Sequence, residues 1–583
     1  MIPKPSGLVA WILLGSVCFS VTSGASEKLA VLENEALAVT VSLDTGGIVT
    51  ARRKATGFEH RNPQDPREIL NLRLPLDGWD GHTLQGSDAH RVRTLERTAD
   101  ALTLDFNRFR DEEGEWKVSA QVSYALDGED LVLRLQLRND SGRPLDRVVF
   151  PSLGVMPADD GSETLVLPSG PRPLAGWFST NTVRTKHDPF ERLDPTDFRG
   201  WVYTDPAISS KALPYPIGFH QLPTTWMSYR RGDEAVGWDV RDTNFQSQFA
   251  VIDRILHRDT ESAARNTQTY RLSWHWYPLV EPGAAWESPE VRLKFGNGDW
   301  HEIARQHREW FTSWSIKPER PDAFKQSIGW ISQGVSHFDQ IPEIARSGVE
   351  VGAPYFIVYG WYGYGMGRLS YDFHPRPMLG GVDGLRRNIK AAQELGAYPL
   401  AWFNGTTSVG SRPEHQQFGK DWIVVDRQGG LNVDGRWSLF DPDRPQTAAD
   451  ALVHFNYDMA TPVKDYLLES VRRMVQDYGF PGFEMDQAAK NYLSYRPGSG
   501  SGPELGSAEG TREIYERSME IVRKAAPSGI VVAEGISDFM AQYFDAFWIF
   551  EGGGDVFGPG ADWVEQTTYT RYSIPDGLVP MRA

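Results

Sequence analysis

The chain has 583 residues, 23% of them charged and 40% hydrophobic, the balance of an ordinary globular protein with room for two or three folding units and a large core. Its formal net charge is −17, and an acidic surface argues against a nucleic-acid backbone as the main partner, because phosphate recognition needs a basic footprint. A single cysteine, Cys18, excludes a disulfide framework and leaves the chain beyond it without a thiol nucleophile or a cysteine metal site.

In chain order, residues 1–25 read as an export signal. Lys4 gives a basic start, Leu8 to Val21 an apolar run, and Ser23-Gly24-Ala25 small residues at the cleavage position. The run is short for a membrane span, and no later segment is long and apolar enough for one. The expectation is an exported protein, periplasmic or extracellular, with no stable membrane insertion after signal cleavage. An uncleaved anchor is the rival reading.

Residues 27–297 follow period two. Leu37, Val39, Val41 and Leu43 alternate with polar residues, as do Leu131, Leu133, Leu135 and Leu137, and Tyr270, Leu272, Trp274 and Trp276. Alternation of this kind marks half-buried strands, and turn signals such as Asp44-Thr45-Gly46-Gly47 separate them. Many antiparallel strands in one region predict a β-sandwich. Over 298–324, Trp300, Ile303, Ala304, His307 and Phe311 take up helical spacing and predict a linking helix.

From 325 to 583 strands and helices alternate. Strands are predicted at 327–332, 355–361, 397–404, 482–487, 529–535 and 544–551, with helices between them. One helix spans 383–396, with Leu385, Ile389, Ala392 and Leu395 on one face. Another starts at Thr461-Pro462 and ends at Gly479. This rhythm predicts parallel strands with crossover helices, and the absence of a G-x-G-x-x-G after a strand argues against a dinucleotide fold. The expected architecture is therefore multidomain, a β-sandwich followed by a (β/α)8 TIM-type barrel. Six strands and a seventh candidate at 577–582 fall short of eight, and 405–460 is spent on an insertion, so the barrel is expected to be incomplete at its C-terminal end or the gene to be truncated.

A barrel carries its site at the C-terminal ends of its strands. Tyr359, Trp361, Trp402, Asn404, Asp486, Glu534 and Trp548 stand there. Asp486 and Glu534 end neighbouring strands, where two carboxylates can flank one sugar. One attacks the anomeric carbon or activates water, and the other protonates the leaving oxygen. Asp486 lies among polar groups that favour its ionised form and is the candidate nucleophile. Glu534 follows Ile530-Val531-Val532-Ala533, where partial burial raises a carboxyl pKa, and is the candidate acid/base.

Glu484 shares the strand face of Asp486 and either pairs with a base inside the barrel or joins the site and raises a neighbour's pKa. With Tyr359, Trp361, Trp402, Asn404 and Trp548 it completes the candidate substrate-binding set. Tyr359-Gly360-Trp361-Tyr362-Gly363-Tyr364 reads as either a sugar platform or a packed loop cluster. His337, His374 and His454 lack metal-ligand spacing, and neither a metal nor a cofactor is expected.

The stretch from Asp458 to Pro462, the helix after it and Tyr478-Gly479-Phe480-Pro481-Gly482-Phe483-Glu484-Met485-Asp486-Gln487 resemble barrel glycoside hydrolases with a nucleophilic Asp at the end of strand four. Val531-Val532-Ala533-Glu534-Gly535 resembles their acid/base Glu at the end of strand five. Residues 32–48 resemble the opening of the galactose-mutarotase-like super-sandwich that precedes such barrels. The layout is similar to endo-α-N-acetylgalactosaminidases and to uncharacterised exported bacterial glycosidase families, and more distantly to α-galactosidases. In that last group a Lys stands where Glu484 is, and the acid/base is an Asp on strand six, which points to Asp545 or Asp555. The resemblance implies a retaining glycosidase acting on α-linked oligo- or polysaccharides. The alternatives are a carbohydrate-binding protein that has lost catalysis, or a transglycosylase or epimerase using the same carboxylates.

Overall fold

The computed structural model describes residues 28–548 apart from 65–66, 76–80, 112–113, 159–160, 169, 175–207, 217–221, 258–266, 297, 363–372, 410–418, 428, 432, 437–452, 489–491 and 497–501, and beyond 548 it describes 569 and 572–574. The expected signal segment with Cys18, the loop residue Tyr364, the alternative acid Asp555, and the seventh-strand candidate lie outside the described residues.

The first half is antiparallel, as the period-two pattern predicts. A four-stranded sheet holds Leu29–Glu33, Leu37–Ser42, Ile48–Arg53 and Glu59–Arg61, and two larger sheets have ten and six strands. The strand Asp130–Asn139 shows the rule. Leu131, Leu133, Leu135 and Leu137 are buried while Arg134, Gln136 and Arg138 face water. Both large sheets and the small one send such residues into one continuous apolar core. The linking helix α1 (Trp300–Trp314) starts at Asp299, whose side chain accepts from the His301 N–H, and it buries Ile303, Ala304, His307 and Phe311, four of the five positions its spacing predicts, with Trp300 half-buried.

The second half is built on six parallel strands: β1 (Trp330–Gly334), β2 (Tyr355–Tyr359), β3 (Tyr398–Asn404), β4 (Phe483–Asp486), β5 (Val531–Glu534) and β6 (Ala546–Trp548). Their order in the sheet is their order in the chain. A sheet laid down in strict chain order has no reversal point, which is what a doubly wound dinucleotide fold would require. Helices α2 (Ile341–Glu350), α3 (Gly381–Glu394), α4 (Val463–Arg472) and α5 (Pro503–Ala525) make the crossovers. Leu385, Ile389 and Ala392 are buried on α3, but Leu395, beyond its last turn, is 38% exposed. Between β3 and α4 a small antiparallel sheet, Thr407–Val409, Val433–Arg436 and Val453–Asn456, occupies part of the predicted insertion.

Strand bounds differ from the sequence reading: β1 is shifted to Trp330–Gly334 from the predicted 327–332, and others are shortened. The observed β2 and β5 are shorter than the apolar runs containing them, because buried residues in the flanking loops extend each run past the paired backbone. The run 355–361 is the clearest case: β2 stops at Tyr359, and Gly360 adopts φ +69°, a left-handed conformation that glycine tolerates without steric cost.

Candidate active site

Side chains alternate across a strand, so residues two apart share a face and in-register neighbours on parallel strands form rows. Trp402 pairs with Glu484, and Glu484 with Val532. One step toward the C-terminal ends, Asn404 pairs with Asp486, and Glu534 with Trp548. Asn404, Asp486 and Glu534 therefore top one face of β3, β4 and β5, with Trp402 and Glu484 a row beneath. The side chain of Trp548 lies outside the described residues.

In the top row the two carboxyls touch. Glu534 is 6% exposed and hydrogen-bonded to Asp486, and it is pushed well above the ordinary carboxyl range, first by burial and then by the Asp486 charge. Two acids in contact cannot both ionise cheaply, so the pair holds a proton between them and titrates as a unit. The Gln487 N–H donates to Glu534 Oε2 at 2.6 Å and pulls the other way. That N–H is aimed by an unusual backbone: Gln487 has φ +57°, a region that non-glycine residues occupy at a cost and that clusters at functional sites. Asp486 is partly exposed and accepts from Asn404 Nδ2 at 2.6 Å. The Asn404 amide cannot turn over, because its Oδ1 accepts from the Thr406 N–H at 3.0 Å.

Glu484 is 1% exposed, and burial, then Asp486, push its carboxyl well up. Among the described residues it has no ion-pair partner, and its Oε2 accepts no hydrogen bond. Of the two roles open to it, pairing with a base is not what the described residues form. Two phenols stand nearby. Tyr359, 8% exposed, is raised by burial and by the charges of Glu484, Asp486 and Glu534, while a hydrogen bond with Ser332 opposes the shift. Tyr362, fully buried, is raised by burial and by Asp486 and Glu484. Its ring stacks on Trp402, with centroids 6.0 Å apart and planes 7° from parallel.

Trp361, a sequence candidate for binding, is placed elsewhere. It is fully buried, its indole N–H donates to the Trp402 carbonyl at 2.8 Å, and its rings pack on Tyr478 and Phe480. A ring with no open face offers no platform to a sugar. The turn at Gly360 breaks the alternation that would have put Trp361 beside Tyr359 and brings Tyr362 to the carboxyls instead. Tyr362 stands in the aromatic run that reads as platform or packed cluster but outside the ranked substrate-binding candidates, and residue type and strand position do not single out the Gln487 N–H at all.

Asp545, the alternative acid, sits at the opposite, N-terminal end of β6. Its carboxylate pairs with Arg523 and accepts from the Val531 N–H at 2.8 Å, a structural arrangement far from the strand tops. His337 caps a short turn and is exposed, and His374 bonds the Tyr478 hydroxyl at 2.8 Å. Among the described residues, no group of three or more His, Cys, Asp or Glu side chains could hold a metal ion.

No family model matches the chain, and no curated protein matches it in sequence. Solved structures do match. The ligand-free α-N-acetylgalactosaminidase NagBb from Bifidobacterium bifidum aligns over 95% of this chain and 86% of its own, with 13% identity and a TM-score of 0.62. The same enzyme in complex with GalNAc aligns over 93% and 83%, again at 13% identity, with a TM-score of 0.61. The GH36 α-galactosidase AgaA from Geobacillus stearothermophilus aligns over 95% and 78%, at 14% identity and a TM-score of 0.50. What is shared is the fold. It runs through both halves of the chain, antiparallel sheets and parallel sheet together.

Proposed function

We propose that the chain is a glycoside hydrolase acting on α-linked glycans by a retaining mechanism, with Asp486 as nucleophile and Glu534 as general acid/base. The observation that carries this reading is the carboxyl pair itself: two acids at the tops of adjacent parallel strands, one partly open and held by Asn404, the other buried and kept protonated. Glu534 has the proton that a leaving glycosidic oxygen needs. Asp486 has the exposure and the fixed orientation that attack on an anomeric carbon needs.

The closeness of the pair favours retention. Inverting enzymes hold their carboxyls about 6.5–9.5 Å apart to admit a water, whereas a retaining pair stands about 5–5.5 Å apart. Carboxyls already in contact must be parted slightly by the entering sugar, and the shorter separation is the nearer one. The preference for α-linked sugars is drawn from the structural neighbours, an α-N-acetylgalactosaminidase and an α-galactosidase. In this reading the parallel half is the catalytic barrel and the antiparallel half a super-sandwich, and residues 1–25 export the protein.

Reducing-sugar release from α- and β-linked glycans tests the proposal, with wild type compared against Asp486→Asn and Glu534→Gln. Both variants keep the shape of the site and are expected to lose about three or more orders of magnitude in kcat, the scale of losing a nucleophile or a positioned acid. A wild type that cleaves none of the glycans, or a variant with full activity, overturns it. Products longer than the substrate in place of new reducing ends identify a transglycosylase.

A further inference from the structure

We propose that Glu484 and Tyr362 form a hydroxyl-binding subsite beneath the catalytic pair, taking one hydroxyl of an uncharged sugar ring. The subsite rests on the hydrolase reading for the nature of its ligand, but its own evidence is geometric. Glu484 projects from the same face of β4 as Asp486, one row deeper, and Tyr362 reaches the same carboxyls from the turn after β2. Both side chains are buried, and among the described residues Glu484 Oε2 and the Tyr362 hydroxyl have no hydrogen-bond partner. Buried polar atoms are nearly always satisfied, and each orphan carries a desolvation cost, so two of them beside a catalytic pair mark the place of a missing polar group.

The chemistry of that group follows from the donors and acceptors. Burial and the nearby Asp486 keep Glu484 neutral, so it offers one O–H and acceptor oxygens, and the tyrosine offers the same. An alcohol, itself both donor and acceptor, satisfies both at once. An ammonium group has no acceptor and would require Glu484 to ionise beside Asp486. A phosphate or carboxylate would meet Asp486, with no cation to offset it among the described residues of the site. An apolar substituent would leave both orphans as they are. The subsite thus selects neutral hydroxylated sugars and discriminates against the analogue that lacks the hydroxyl it reads, since a site built around a hydrogen bond rejects a partner that cannot make it.

Calorimetric titration of the full chain with galactose, N-acetylgalactosamine, glucose and their monodeoxy analogues tests this, comparing wild type with Glu484→Gln, Glu484→Met and Tyr362→Phe. A glutamine keeps a neutral donor and acceptor and is expected to bind within about threefold of wild type. Met and Phe remove the polar atom at nearly constant volume and are expected to weaken binding about tenfold or more. That loss should vanish for a single deoxy analogue, the one without the hydroxyl being read. Should Glu484→Met fold poorly, Tyr362→Phe carries the same expectation alone. Wild-type affinity in both Met and Phe variants overturns the subsite, as does a Glu484→Gln loss equal to that of Met, which identifies a charged Glu484. Glycan cleavage by the same preparations separates the two readings. The binding pattern without cleavage keeps the subsite and overturns the hydrolase, and cleavage with no effect of either substitution does the reverse. No binding of any sugar overturns the subsite.

Discussion

Gln487 holds its left-handed backbone beside the one acid that a hydrolase would need protonated, and its N–H, not its side chain, bonds Glu534. Two substitutions separate backbone from side chain. Gln487→Gly keeps the N–H and adopts φ +57° freely, so the variant should stay folded and retain the hydrogen bond. Gln487→Pro removes the donor and fixes φ near −65°, so it should lose activity and about 3 kcal/mol or more of stability, read by glycan cleavage and chemical denaturation. Equal behaviour of the two variants would remove the backbone from the account. At this scale the sequence was legible wherever residue type and strand-end position sufficed: Asn404, Glu484, Asp486 and Glu534 all fall on one face because the period of a strand is two. It was not legible for Gln487, whose contribution is a dihedral angle, nor for the contact between the two carboxyls, which depends on register between strands about 45 residues apart in the chain.

At the scale of elements, parallel sheets bury both faces, so their strands read as continuous apolar runs whose ends are blurred by buried loop residues. That explains why the existence and order of β1 to β6 were legible and their lengths were not. It also explains Trp361. Its place in a run of aromatics after a strand fits platform and core equally well, and only the turn at Gly360 decides between them. The burial of Trp361 predicts that Trp361→Ala costs about 3–5 kcal/mol of stability, the penalty of emptying a core aromatic site, and scanning calorimetry reads it directly. A variant as stable as wild type with a raised KM would return Trp361 to the candidate substrate-binding set.

At the scale of the whole molecule, the two halves are joined by buried charge. His307 of α1 is fully buried between two carboxylates, with Nδ1 2.7 Å from Asp239 and Nε2 3.2 Å from Asp538, and Tyr215 donates to Asp538 at 2.6 Å. Burial opposes the charged imidazole, but the two carboxylates outweigh it and raise its pKa to about 9. A histidine raised in the folded state stabilises fully below its unfolded value near 6.5 and loses that contribution as pH rises through about 9. Glu504, at the start of α5, is raised to about 8 by burial, with its neighbour Asp242 at about 6. Raised carboxyls favour the folded state while protonated, so they too lose stability as pH rises. The signs agree, and each group tilts stability by about 1.4 kcal/mol per pH unit within its window. Thermal midpoints should therefore fall steadily from pH 6 to 9.5, and Glu504→Gln should flatten the lower part of that slope. A midpoint constant over this range would refute the linkage. None of this was legible in sequence. His307 showed only as one position of an apolar stripe, because its partners lie 68 and 231 residues away.

Asp538 stands four residues after Glu534, so the strand end that carries the buried acid is moored through Asp538 to α1 and to the antiparallel half. The antiparallel half is consequently not a detachable module. Exchange for an unrelated sandwich would have to bring Tyr215 and Asp239 with it, or leave the buried His307 and Asp538 without those partners.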